Sequence, residues 1–270
     1  MNTPNPTLGT GTGCLYLVPT PLDFGCAPEF QSPITNALPA QTLQLASRLS
    51  HWITENAKST RAFLKRVDTH APLSQPLQAL NVVELPREVH KKGDHAGSRA
   101  ATFDARPLLA PALAGHDMGL VSEAGMPAVA DPGSSVVRAA HNLGIEVQVL
   151  AGPVSLMMAL AASGLNGQQF AFVGYLPQDP ANRAQRLREL ETLALKTGQT
   201  QIFIETPYRN AALLQALLHI LQPSTRLSAS CGVMVAASGQ ATHFSAPVSV
   251  WRKQSPALNW ELPAVFLIGP

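Results

Sequence analysis

Four short loops mark places where a ligand could meet main chain. They are Val18-Pro19-Thr20-Pro21; Ser122-Glu123-Ala124-Gly125-Met126-Pro127, continuing to Asp131-Pro132-Gly133; Leu150-Ala151-Gly152-Pro153-Val154-Ser155; and Ile204-Glu205-Thr206-Pro207-Tyr208-Arg209. Each follows a run that reads as a strand. Small residues let backbone approach a bound molecule, and prolines stiffen it there. In open α/β sheets ligands bind beyond the carboxyl ends of strands, so four such loops in one chain point to a binding site. Basic side chains offer a second kind of chemistry. Lys58, Arg61, Lys65 and Arg66 lie close together with no acid among them, and Arg61 and Lys65 share a helical face. Arg87, Lys91, Lys92, Arg99 and Arg106 form a more mixed group with Glu88, Asp94 and Asp104. Both groups suit phosphate contacts, and both suit a solvated surface. Arg209 suits a phosphate grip or a pairing with a carboxylate at a helix start. His90 and His95 flank Asp94 without a third ligand, so no metal is expected.

Positioning these loops requires alternating strands and helices. The runs 15–18, 81–85, 118–122, 145–150, 170–173, 201–205, 226–230, 247–251 and 264–268 read as strands ending in breakers. Several are nearly continuous apolar runs, as in parallel strands buried on both faces. The apolar run His51–Thr54 reads as a strand end leading into Glu55. Helical periodicity covers 41–51, with Leu45, Ala46, Leu49 and Trp52 on one face, and also 134–143 and 155–162. It continues over 184–195, with Leu187, Leu190 and Leu193 or Ala194, and over 211–221, with Leu214, Leu217, Leu218 and Leu221. The class is α/β. The expected organisation is a loose N-terminus over 1–13, an N-terminal α/β domain over 14–151, and a C-terminal α/β domain over 152–270. The boundary falls at Ala151-Gly152-Pro153, where a strand ends and a turn opens a helix.

Composition narrows the function. Of 270 residues, 46% are hydrophobic and only 13% charged, which excludes a disordered tail protein. A net charge of +2 argues against a strongly basic nucleic-acid coat protein and leaves open an enzyme with a local basic patch. Cys14, Cys26 and Cys231 are too few and too scattered for a disulfide framework or a zinc knuckle, which fits a cytoplasmic protein. Residues 1–12 carry no basic residue and no apolar run, so no secretory signal is expected. The uncharged stretch 147–170 is broken by Gly152-Pro153, Asn166 and Gln168-Gln169; it reads as a buried helix, not a membrane span. Gly9, Gly11 and Gly13 lack a preceding strand, and no G-x-G-x-x-G follows one elsewhere, which disfavours a nicotinamide-dependent oxidoreductase.

The segments Leu15–Pro21, Leu120–Gly133, Leu150–Leu165, Phe172–Pro177 and Ile202–Arg209 together resemble the tetrapyrrole methylase superfamily in order and spacing. They are most similar to its ribosomal RNA small subunit methyltransferase I branch, and SEAGMPAVADPG is the most specific piece. The resemblance implies two α/β domains with S-adenosylmethionine in the cleft between them, a homodimer, and methylation of a ribose 2′-hydroxyl in RNA. Carried over by position, it implies cofactor contacts from Pro19, Ser122, Ala124, Gly125, Met126, Val129, Val154, Ser155 and Glu205, with Gly232 letting backbone approach the adenine. Ser155 would open a helix and meet polar cofactor atoms, or serve as its N-cap. Lys58, Arg61 and Arg209 would bind the acceptor. A ribose hydroxyl is weakly acidic, so a base or a nearby cation helps; of Glu55, Lys58, Glu123 and Glu205, the catalytic candidates are Glu55 and Glu123. Asp131-Pro132-Gly133 reads as a turn and helix cap.

The chain also departs from that branch. AEDTR has become Thr54-Glu55-Asn56-Ala57-Lys58, SDAGTP has become SEAGMP, and the RELTK segment expected near 228–234 keeps neither Lys nor Glu. The C-terminal module of the branch is not found before Pro270. These changes fall more on acceptor recognition than on the cofactor loops. Two further readings therefore accompany the RNA methyltransferase: a methyltransferase acting on another acceptor such as a tetrapyrrole-like small molecule, and an inactive cofactor-binding paralogue with a regulatory role.

Overall fold

The computed structural model describes residues 11–86, 103–233, 242–254 and 256–270. Elements in chain order are β1 (Cys14–Leu17), α1 (Ala40–Arg48), β2 (His51–Thr54), α2 (Ala57–Asp68), β3 (Asn81–Glu84), α3 (Ala110–Leu113), β4 (Met118–Val121), α4 (Ser134–Asn142), β5 (Glu146–Val149), α5 (Ser155–Ser163), β6 (Phe170–Tyr175), α6 (Pro180–Thr197), β7 (Thr200–Glu205), α7 (Pro207–Ile220), β8 (Arg226–Cys231), β9 (His243–Pro247), α8 (Val248–Trp251) and β10 (Ala264–Gly269). They form two α/β units. One comprises the described residues through Pro21 together with Ser32–Pro153; the other comprises Leu22–Gln31 and Val154–Pro270.

The first unit carries a five-stranded sheet in the order β3-β2-β4-β1-β5, and every pairing is parallel. Its central strands are buried on both sides, which explains their continuous apolar sequence. Leu15, Leu17, Ile53 and Leu120 pack with Leu109 and with Val136 and Ala140 of α4. Val18, Trp52 and Val121 pack on the opposite face with Leu43 and Ala46 of α1 and Phe63 and Leu64 of α2. Gly119 of β4 lies opposite Trp52, and a Cβ there would sit 2.5 Å from the indole ring. The glycine makes room for the largest fully buried side chain of the unit.

The second unit departs from the parallel expectation. Its sheet runs β6-β7-β10-β8-β9; only β6 and β7 are parallel, and the other three pairings are antiparallel. Phe203, Leu227 and Phe266 pack with Leu187 and Leu190 of α6 and Leu213 and Leu217 of α7. Ile202, Val265 and Leu267 pack with Leu156, Ala159 and Leu160 of α5.

Several boundaries moved for local reasons. The strand expected over 247–251 is instead β9, ending at Pro247, which caps the short helix α8. Trp251 at the end of that turn is buried and donates its indole N–H to Leu227 O at 2.8 Å. Helix α1 ends at Arg48, so Trp52 belongs to β2; its buried face is Thr42, Leu43, Ala46 and Ser47. Helix α6 begins at Pro180, because Asp179 accepts from Asn182 N and proline suits the first turn. Its buried stripe takes Ala194, while Leu193 is 43% exposed. The stretch 147–170 contains the nine-residue α5, and no helix among the described residues is long and apolar enough to cross a membrane.

Candidate functional site

The carboxyl ends of the parallel strands in the first unit are stitched together. Past β1, Val18 N donates to Leu120 O at 2.9 Å. Thr20 and Gly125 then exchange two main-chain bonds, at 2.9 and 3.1 Å, as an antiparallel bridge between the first two loops. The Thr20 hydroxyl donates to Ser122 O at 3.4 Å. Pro19 is buried against Gly152, where a Cβ would lie 2.3 Å from the proline ring. Gly125 is buried with φ +79°, a conformation that favours glycine. Ala128 and Ala130 also take positive φ, 64° and 63°, where alanine is strained. Ser122 is 3% exposed, and its hydroxyl has no hydrogen-bond partner among the described residues. A buried hydroxyl without a partner at the end of a parallel strand fits contact with a ligand.

Three carboxylates gather beside this loop. Glu55, just past β2, accepts from Glu123 N at 3.2 Å across 68 residues of sequence, and its own N–H donates to Val121 O. Asp131 is the third. Burial first, then the charges of Glu55 and Glu123, push its carboxyl up to about 8. Asp131 therefore keeps its proton at neutral pH and can donate a hydrogen bond. As expected of the Asp131-Pro132-Gly133 turn, Gly133, with φ 131°, is the N-cap of α4; no side chain caps the helix. The state of Asp131 is hard to read from sequence, because burial sets it first and Glu55 comes from another strand end.

Helix α2 starts from the same end of β2. Asn56 is its N-cap and accepts from Lys58 N and Ser59 N, so the change from Asp to Asn retains the cap. Glu84 accepts from Ala57 N at 2.7 Å. The hydroxyls of Thr54 and Thr60 bond one another beneath this turn. Lys58, Arg61 and Lys65 are exposed and spaced to share one face of the helix, and none of the three pairs with a carboxylate among the described residues. Ala124 and Met126 are part-buried, and Val129 is 40% exposed.

The remaining candidates lie in the second unit. Val154, not Ser155, is the N-cap of α5; Ser155 is its first residue, and no side chain caps the helix. Glu205, at the end of β7, is 5% exposed and already engaged. It accepts from Thr206 N at 2.7 Å and from Arg209, with Nε at 2.8 and Nη2 at 2.7 Å. Arg209 thus pairs with a carboxylate at a helix start. Gly232 has φ +56°, and a Cβ there would meet the Leu262 side chain at 2.3 Å, so packing within the unit already demands glycine. Ser228 and Ser230 of β8 are buried, and their hydroxyls lack partners among the described residues. No cluster of three or more metal-binding side chains exists among the described residues. His90, Asp94, His95, Arg87, Lys91, Lys92 and Arg99 lie outside them.

The protein is an α/β protein of two units, and the strand-end loops of the first are tied together beside a buried hydroxyl that has no partner among the described residues. The model of the family Tetrapyrrole (Corrin/Porphyrin) Methylases matches residues 53–240, and the chain belongs to that family. It is 29% identical over 219 residues to a ribosomal RNA small subunit methyltransferase I of Vibrio cholerae, covering 81% of this chain and 64% of that protein. It is 30% identical over 211 residues to the protein of the same name from Micromonospora olivasterospora, covering 78% and 56%. The chain thus spans less than two thirds of the length of these curated relatives. A solved uroporphyrin-III-C-methyltransferase from Thermus thermophilus shares the fold, with a TM-score of 0.51 at 19% identity over 95% of this chain and 94% of that one.

Proposed function

We propose that this protein is an S-adenosylmethionine-dependent methyltransferase whose acceptor is a ribose 2′-hydroxyl of small-subunit ribosomal RNA. The observation that carries the reading is the loop Ser122–Gly133, locked to Thr20 through Gly125 inside the region matched by the family model. The name printed for the relatives above supplies the acceptor class.

The residues present fit the cofactor. The unpartnered Ser122 hydroxyl and the Gly125 turn offer polar and main-chain contacts, and Pro19, Ala124, Met126 and Val129 offer apolar ones. S-adenosylmethionine supplies a methyl group activated on a sulfonium, so the protein is left mainly with alignment. Glu55 and Glu123 place negative charge at the strand ends, which favours a bound cation and offers an acceptor for the hydroxyl proton. Asp131 holds its own proton there below about pH 8 and serves as a donor. Lys58 and Arg61, with Lys65 on the same exposed face, provide phosphate contacts for RNA. The protein works in the cytoplasm as a homodimer; the exposed Phe170, Phe172 and Tyr175 on edge strand β6 (37–54% exposed) are apolar surface for a second copy.

The test is transfer of labelled methyl from S-adenosylmethionine to small ribosomal subunits, followed by nucleoside analysis. Label in a 2′-O-methylribose supports the reading. Label only in a tetrapyrrole-like acceptor redirects it, and binding without transfer to any acceptor replaces it with the inactive paralogue.

A further inference from the structure

We propose that Tyr208 is a stacking platform for an unpaired base of the RNA acceptor; the proposal rests on the RNA reading above. Tyr208 is the second residue of α7, at the carboxyl end of β7. It is 82% exposed, more than any other large apolar or aromatic side chain described; the next is Val149 at 63%. Among the described residues of its own unit, nothing covers it.

The ring is nevertheless supported. The Arg209 guanidinium lies 5.6 Å from its centroid, in cation–π contact. That guanidinium is fixed by two bonds to the buried Glu205, whose carboxylate is further held by Thr206 N. A buried acid thus anchors a planar cation, and the cation backs an exposed aromatic ring. Glu205 neutralises Arg209, so the assembly is a poor anion site and a good flat one. Unpaired RNA bases are commonly held by stacking on aromatic rings and guanidinium planes, and the contact tolerates any base. A tyrosine that stacks through one face while its neighbour holds it in place needs little ordering on binding, because only two torsions are fixed. Tyr208 is therefore a positioning residue for the acceptor.

The test uses the full chain, with small ribosomal subunits as the varied acceptor. Tyr208→Ala is expected to raise KM for the subunit about five- to a hundredfold. The effect should fall on KM more than on kcat, and Kd for S-adenosylmethionine should stay within twofold of wild type. Tyr208→Phe keeps the ring and should restore KM; the side chain is exposed, so neither variant should shift the melting temperature. A KM for Tyr208→Ala within twofold of wild type overturns the proposal. So does a loss that appears in S-adenosylmethionine affinity, which would place the ring against the adenine instead. Absence of transfer to subunits by the wild-type protein removes the RNA reading itself and the platform with it, and it is seen before any variant is made.

Discussion

The two units differ in how their most buried acidic groups are satisfied. In the second, Glu205 is satisfied by Arg209 and Thr206, and the buried Glu191 by Gln222 N and the Thr225 hydroxyl. In the first, burial above all, with the charges of Glu55 and Glu123 added, keeps the proton on Asp131. The same loop holds a buried hydroxyl without a partner among the described residues and two alanines in a backbone region that glycine prefers. Self-satisfied charges hold a structure together, whereas crowded carboxylates and strained loops persist where a ligand completes the arrangement. On the proposed function, the contrast favours the first unit as the place of the reaction chemistry.

Substitutions at four positions sharpen or break this comparison. The largest effect is expected from Gly125→Val. It forces a branched side chain into φ +79° on the cofactor loop and should weaken S-adenosylmethionine binding by at least about tenfold in calorimetry. An unchanged affinity would mean that this loop is scaffold. Arg209→Ala should act chiefly on stability, because it leaves the buried Glu205 carboxylate short of two bonds. A loss of about 2 kcal/mol in urea unfolding is expected. If stability holds and only activity falls, the second unit is less self-contained than described. Asn56→Ala should cost about 1 kcal/mol through the lost cap of α2, and Asn56→Asp should not.

The last effect is one of sign. Folded Asp131 keeps its proton up to about pH 8, whereas an unfolded chain releases it near the ordinary value of 3.8. The folded protein therefore loses stability relative to the unfolded chain as pH rises through that window. Asp131→Asn removes the titration, so its melting temperature relative to wild type should climb from about pH 4 to about pH 8. A difference that is flat with pH would show that Asp131 is not held buried and protonated in the folded chain.

Much of the first unit can be read from sequence, because strands buried on both faces leave continuous apolar runs that stop at Pro19, Pro86 and the loop at Gly125. The second unit is harder. Strand direction leaves no mark on hydrophobic pattern, so the antiparallel β10 between β7 and β8 is not deducible from its Ala264–Gly269 run. A short apolar run such as 247–251 serves strand and helical turn equally well, and burial of Trp251 decides between them. At the site, glycine and proline announce the loops because they act on their own backbone. Glu205 is legible too, because its partners Thr206 and Arg209 follow it directly in the chain. Asp131 does not announce its state, since burial sets it first and Glu55 comes from another strand end. Two departures from the branch leave backbone roles in place: Asn56, at the AEDTR position, preserves a cap, and Gly232, in the RELTK region, is required by Leu262.

The central claim is tested most directly by calorimetric titration of the full chain with S-adenosylmethionine and S-adenosylhomocysteine, alongside Gly125→Val. The account predicts a Kd of about 1–100 μM for both ligands with the wild-type protein, and a weakened one for the variant. A folded wild-type chain that binds neither ligand would contradict it.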